Sequence, residues 1–363
     1  MRSRSKAKGK ITLAAQPLGS LGAGSGGGVE TTLLNLARSL YRRDYEITVV
    51  APQGSKIYES TGIPEQNCLQ VQGQYPANLL NVKDSDKIAI GADDVLPLMW
   101  KEIAKLQNNQ DLVINFAYDW LSFYLSNFLN IPCLHLLSLP SCLKIIDREL
   151  AMTLKNSPGS IGVHSYSQAS SYLFGDKLKV IGNGVDIEQF PYNPSGSERF
   201  VYVGRISPEK QIEHALEASE SLGVNLTIYG KIQNADYFQS LKNRWPDLDH
   251  AGFLPTEDLI RELGQAKALL VTSKAEETFC LAAAEAQCLG VPVIAYKRGS
   301  LPEVVDDESS GILVTPDSVE ELKTAMARVG EIKRHRCREF ASQKLSLGSF
   351  TDSIESWISS FLP

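Results

Sequence analysis

Phe200-Val-Tyr-Val-Gly204-Arg205-Ile-Ser-Pro-Glu-Lys210 reads as a short apolar strand that ends in glycine and opens into a basic loop. It restarts a pattern that has already run once. Upstream, Ile11-Thr-Leu-Ala-Ala15 reads as a strand, then comes a glycine loop, then a helix with Val29, Leu33, Leu34, Leu36, Ala37 and Leu40 on one face. Strands follow at Ile47–Ala51, 112–116, 133–137 and 160–164, with helices expected near 94–106, 119–129 and 143–155; residues 54–92 are polar and give no clear pattern. After Val180–Asp186, the prolines 191 and 194 mark a linker. Downstream of Phe200, strands are expected at 226–229, 268–272, 292–296 and 312–315. Near-continuous apolar strands separated by helices specify parallel sheets covered on both faces. The expected fold class is therefore α/β, with two doubly wound Rossmann-like domains facing across a cleft. The boundaries are expected at residues 1–188, 189–340 and a terminal segment 341–363 whose last part, Phe350 to Leu362, is an amphipathic helix.

Composition removes several classes of function. With 36 Lys and Arg against 42 Asp and Glu, the chain of 363 residues carries a net charge of −6, which argues against a general binder of nucleic acid or anionic lipid. The first ten residues hold a basic run, Arg2 to Lys10, with no signal-length apolar stretch behind it, so it reads as a solvated tail. The most apolar region, Leu112 to Leu137, is broken by Asn115, Asp119, Asn127, Asn130 and Pro132 and reads as core, not as a membrane span. Cys68, Cys133, Cys142, Cys280, Cys288 and Cys337 show no metal-ligand spacing and suit small buried thiols in a cytoplasmic protein.

Three stretches carry chemistry. Gly19 to Gly28 lies between the first strand and the first helix, where free N–H groups and the helix dipole favour an anion; it has neither dinucleotide nor P-loop spacing. Arg205 and Lys210 sit at the carboxyl end of the Phe200 strand, where two cations can neutralise a diphosphate without a metal. Glu277-Thr-Phe-Cys-Leu-Ala-Ala-Ala-Glu285 places one carboxylate in a loop and a second about two turns into a helix expected to start near Phe279 and to stop at Gly290. Carboxylates so placed can accept hydrogen bonds from sugar hydroxyls, while amides at the helix start face a phosphate. Asp84-Ser-Asp86 and Asp247-Leu-Asp249 match an Asp-x-Asp metal signature but lack the flanking strand and read as solvated acids. Lys333-Arg-His-Arg336 reads as a solvated helix face.

Gly-Gly-Val-Glu (27–30), Asn-Gly-Val-Asp (183–186), Val-Gly-Arg (203–205) with Pro-Glu-Lys (208–210), Glu-x7-Glu (277–285), Gly-Val-Pro-Val-Ile-Ala (290–295), Pro-Glu-Val-Val (302–305) and Gly-Ile-Leu-Val (311–314) occur together and in order. In this set the chain resembles the retaining GT-B glycosyltransferases of the family-4 type over nearly its whole length. The resemblance implies a nucleotide-sugar donor and no metal or other cofactor. Arg205 and Lys210 would hold the diphosphate, Glu285 the ribose and Glu277 the hexose. The amides of Phe279, Cys280 and Leu281 would complete the donor site, backbone near Gly252-Phe253-Leu254 would meet the base, the Gly26, Gly27, Gly28 loop would approach the diphosphate, and His135 would lie at the sugar. The terminal helix would return to the N-terminal domain. Two departures stand out: Cys280 replaces a usual glycine, and Gly299-Ser300 replaces Gly-Gly.

Within the family, segments 24–30, 115–120 and 158–165 are similar to those of pterin glucosyltransferases, which implies UDP-glucose as donor and tetrahydrobiopterin as acceptor. Phe116, Tyr118 and Trp120 supply flat surface for such a ring, and Asp119 an acceptor for its N–H groups, although aromatics of this kind are commonly core. The acceptor-side loops are poor in cations, which disfavours an anionic acceptor. His on an apolar strand is likewise commonly a core residue. The expected activity is retaining hexosyl transfer without a metal, by front-face attack in which the departing phosphate takes the acceptor proton. Transfer to a sugar or lipid from a UDP-sugar or GDP-mannose, nucleotide-sugar epimerisation, and sugar-nucleotide binding without turnover are the alternatives.

Overall fold

A computed structural model describes residues 7–22, 27–75 and 89–362. The chain forms two compact units. The first runs to Asn183 and takes up the chain again from Phe350; the second is Gly184–Ser349.

The first unit carries β1 (Lys10–Ala14), β2 (Glu46–Pro52), β3 (Cys68–Val71), β4 (Leu112–Asn115), β5 (Cys133–Leu137), β6 (Ile161–Val163) and β7 (Lys179–Val180), in the order β3-β2-β1-β4-β5-β6-β7. The second carries β8 (Phe200–Val203), β9 (Leu226–Tyr229), β10 (Asp249–Gly252), β11 (Ala268–Val271), β12 (Val293–Tyr296) and β13 (Gly311–Val314), in the order β10-β9-β8-β11-β12-β13. Every strand pairing in both is parallel. In each sheet the order reverses once, between β1 and β4 and between β8 and β11. At such a point the loops leaving two adjacent strands diverge to opposite faces and leave a crevice at the carboxyl edge. The two doubly wound units expected from the sequence are present, and this is the Rossmann-like pair of the GT-B fold.

The apolar runs are continuous because both faces of each sheet are covered. In the second unit Phe200, Tyr202, Ile228, Leu270, Ile294 and Ile312 pack into one core, and Val201, Tyr229, Leu269, Val271, Val293 and Ala295 into the other, as the two-residue period of a strand dictates. The helix Leu347–Ile358 takes Phe350, Ile354, Trp357 and Ile358 into the first unit, where Trp357 Nε1 donates to the Gly159 carbonyl at 2.7 Å. The division differs in detail from residues 188 and 340. Position 340 falls inside the helix Arg334–Lys344, whose Ala341 is buried, and Val185 donates to the Leu345 carbonyl at 2.8 Å, which ties residues 341–349 to the second unit. Among the described residues, no helix is long and apolar enough to cross a membrane, and all six cysteines are free.

Candidate functional site

The expected donor-side residues gather on the loops leaving β8 and β11, at the reversal of the second sheet. Pro208–Lys210 forms one 3-10 turn with the proline in its first position, and the Glu209 carbonyl accepts the amides of Lys274 (2.9 Å) and Ala275 (3.2 Å) from the other loop. That tie brings Lys210 Nζ to 2.5 Å from Glu277 Oε1. Ser273 Oγ donates to the same oxygen at 2.6 Å, and Ser300 N–H donates to the Glu277 carbonyl at 2.9 Å. Glu277 is thus held by a charge-assisted pair and by neutral hydrogen bonds on both of its ends. Arg205, on the loop that carries Lys210, is half-exposed, bonded to Gln233 and 3.6 Å from Glu209.

The helix after this loop is Leu281–Cys288, two residues later than expected. Cys280 precedes it with φ +67°, a left-handed conformation that a Cβ disfavours by roughly 1–2 kcal/mol and that suits the glycine expected there. The amides of Ala283 and Ala284 bond the Cys280 carbonyl, whereas those of Cys280, Leu281 and Ala282 have no partner among the described residues. The Cys280 thiol is pushed up to about 12 by burial, with the Glu277 carboxylate adding to the effect, so it stays protonated. The Glu285 carboxylate has no hydrogen-bond partner among the described residues, and burial alone pushes it up to about 7. A half-buried carboxylate left without a partner gains by accepting hydroxyl donors. The Phe279 ring is buried in the core, which leaves only its backbone for any ligand. Phe253 follows β10 with its ring half exposed and Lys231 Nζ 4.3 Å from the ring centre. Ser273 was missed by sequence reasoning; a serine within Thr-Ser-Lys carries no signal of its own.

The first unit holds the remaining expected residues. Gly26 lies outside the described residues, as do Asp84 and Asp86. Gly27 caps the helix Gly28–Arg42. Asn183, from the Asn-Gly-Val-Asp motif, donates to Thr32 on that helix at 2.9 Å. His135 is a correction. It is fully buried on β5, Nδ1 lies 3.1 Å from Asn115 Nδ2 and Nε2 3.2 Å from Ser126 Oγ, and burial drives its pKa down to about 3. It is a neutral core residue with both nitrogens engaged. Phe116 is also buried, at the end of β4. Asp119 caps the helix Trp120–Ser126 by accepting the Leu121 N–H at 2.9 Å, and burial raises its carboxyl to about 6. Tyr118 packs edge-on against Phe123, its hydroxyl 3.4 Å from the Pro140 carbonyl. Trp120 is partly buried against the core and stacks on the exposed Tyr124 at 5.2 Å.

No group of three or more metal-ligating side chains occurs among the described residues, and Asp249 instead accepts the Thr227 hydroxyl at 2.6 Å.

Residues 186–344 match the family described as Glycosyl transferases group 1, a span inside the second unit. The chain is 28% identical over 195 residues to an uncharacterized 41.2 kDa protein in the cps region of Klebsiella pneumoniae, covering 49% of this chain and 54% of that one. It is 26% identical over 234 residues to a D-inositol 3-phosphate glycosyltransferase of Mycobacteroides abscessus, covering 59% and 51%. The chain thus spans about half the length of these curated relatives. In fold it is similar to Anabaena Alr3699/HepE, solved in complex with UDP and glucose, with a TM-score of 0.76 at 20% identity over 97% of this chain and all of that one.

Proposed function

We propose that this protein is a retaining, metal-independent glycosyltransferase that moves a hexose, glucose from UDP-glucose, to a small hydroxylated acceptor. The observation that supports the reading is the β8/β11 reversal, where Lys210 pairs with Glu277, Arg205 lies on the same loop as Lys210, and among the described residues the amides of Cys280 and Leu281 are without partners. The family match within the second unit and the likeness to a protein solved with UDP and glucose support it.

In this reading Lys210, Arg205 and the amides of Cys280 and Leu281 stabilise the charge that builds on the leaving diphosphate. Glu285 takes the ribose hydroxyls and Glu277 a hexose hydroxyl. The bond from the anomeric carbon to the phosphate oxygen breaks, and the acceptor oxygen bonds to the same face. The acceptor proton passes to the departing phosphate oxygen, so configuration is retained and no enzyme nucleophile is needed. Glu277 Oε1 is already taken by Lys210 and Ser273, which leaves Oε2 for the sugar.

For the acceptor, a neutral reduced pterin is the first compound to test, with Trp120 and Tyr124 as its stacking surface and Tyr118 beside them. Phe116 and Asp119 take no part in that surface, being committed to the core and to a helix cap. Incubation with UDP-glucose and tetrahydrobiopterin should give a glucosylated pterin by mass spectrometry, without added metal. Glucosylation of simple sugars or lipids but not of pterins would reject the acceptor. UDP-glucose converted to another UDP-hexose with no adduct would reject transfer.

A further inference from the structure

Glu277 is fixed at its carboxylate by Lys210 and Ser273, and Ser273 is itself fixed from behind. Arg298 leaves the carboxyl end of β12, the strand next to β11. Its Nη1 donates to the Ser273 carbonyl at 3.0 Å, and its Nη2 donates to Asp317 Oδ2 at 2.6 Å. The guanidinium therefore bridges a carboxylate on one side and the backbone of the Glu277 loop on the other. Its five donors in a rigid fork suit this double contact, which a lysine can make only in part. The hold is reinforced beside it: Gly299 packs its backbone against Glu277 and Ser300 N–H takes the Glu277 carbonyl. The side chain of Arg298 is mostly buried, and among the described residues its one charged partner is Asp317. Neither the motifs nor the family resemblance singled it out.

We propose that Arg298 is a positioning residue that sets the Glu277 carboxylate for the donor hexose, acting through Ser273. The proposal rests on the reading of Glu277 as the hexose ligand. The chain of contacts runs Asp317 to Arg298 to the Ser273 carbonyl, and from the Ser273 hydroxyl to Glu277 Oε1. Removing Arg298 loosens the loop and lets Ser273 and Glu277 leave the geometry in which Oε2 is free for the sugar. Among the described residues no hydrogen bond or ion pair joins Arg298 to Lys210 or Arg205 directly, so in this reading its first effect falls on Glu277. Arg298 thus affects recognition of the hexose more than that of the nucleotide.

The test is calorimetric titration of UDP and UDP-glucose into the full chain and into Arg298→Ala, Arg298→Lys, Glu277→Ala and the double variant Glu277→Ala/Arg298→Ala, each checked for folding by thermal melt. Arg298→Ala should weaken UDP-glucose about fivefold and leave UDP within about twofold, a difference of roughly 1 kcal/mol between the ligands. Arg298→Lys should recover part of the loss. In the Glu277→Ala background, removal of Arg298 should add nothing, because its effect passes through that carboxylate. Equal weakening of UDP and UDP-glucose by Arg298→Ala would mean a diphosphate contact or general disorder and overturns the proposal. Unchanged UDP-glucose binding in Arg298→Ala, with loss in Glu277→Ala, overturns the proposal alone. Full UDP-glucose binding in Glu277→Ala removes the hexose reading and the proposal with it. Should Arg298→Ala not fold, Ser273→Ala carries the same comparison, since it cuts the chain one link later.

Discussion

Glu277 and Glu285 are eight positions apart, but their surroundings give them different physical roles. Glu277 is paired with Lys210 at 2.5 Å and accepts from Ser273. Replacing it by alanine should cost roughly 3 kcal/mol of transition-state stabilisation, or about a hundredfold in rate, in a protein that stays folded. Normal turnover by a folded Glu277→Ala variant would remove the carboxylate from the mechanism. Glu285 instead ionises near pH 7, raised from 4.5 by burial. The folded state holds that proton more tightly than the unfolded chain. Its contribution to stability is therefore complete below about pH 4.5 and is lost as pH rises through 7. Glu285→Gln should melt at a similar temperature to the parent at pH 5 and be more stable at pH 8, by up to about 3 kcal/mol, while binding donor more weakly. A parent and variant with parallel melting curves from pH 5 to 8 would contradict the burial of that carboxylate. His135 behaves oppositely to a catalytic histidine. With its pKa driven to about 3, it carries no charge above pH 5, so no limb of a pH–rate profile should belong to it. His135→Ala should instead lower stability by about 2–4 kcal/mol in urea unfolding, because it opens a cavity and strands Asn115 and Ser126.

At the scale of elements, what the sequence disclosed follows burial. The central strands β1, β4, β8, β11 and β12 are covered on both faces and read as apolar runs, and β5 and β9 matched their expected limits. β3 (Cys-Leu-Gln-Val) and β10 (Asp-His-Ala-Gly) were not legible. Both are edge strands, partly exposed, so no hydrophobic pattern was required of them. The same rule explains the site. Arg205, Lys210 and Glu277 stood out as candidates because charged groups in loops after apolar strands have no packing reason to be there, and Glu285 because it is the one charge in an otherwise uncharged helix. Phe116, Asp119 and His135 misled because a core aromatic, a helix cap and a satisfied buried histidine present the same letters as ligand-binding residues. Ser273 and Arg298 could not be read because their roles depend on a contact between two loops that are distant in sequence. That contact is tight: Gly299 has φ +59°, and a Cβ on it would lie 2.6 Å from the Glu277 amide nitrogen. Gly299→Ala should accordingly lower stability by at least 1–3 kcal/mol and activity with it, measured by melting and by turnover on one preparation.

At the scale of the whole molecule, the chain finishes in the unit where it began. The helix Leu347–Ile358 starts beside Val185 and ends against Gly159 and Gly162, whose missing side chain leaves room for the Trp357 ring. Trp357→Ala should destabilise the first unit by about 3–5 kcal/mol and leave nucleotide binding by the second unit in place while it remains folded. Loss of UDP binding at a temperature where the second unit stays folded would contradict the assignment of the donor site to that unit. The central claim concerns the reaction, and one measurement reaches it most directly. UDP-glucose labelled with 13C at the anomeric carbon is incubated with the protein, excess EDTA and tetrahydrobiopterin, and the product is read by NMR for its anomeric configuration. An α-glucoside formed at an undiminished rate is the expected result; a β-glucoside, or activity abolished by EDTA and restored by manganese, would contradict a retaining transfer that relies on Lys210 and Arg205 in place of a metal.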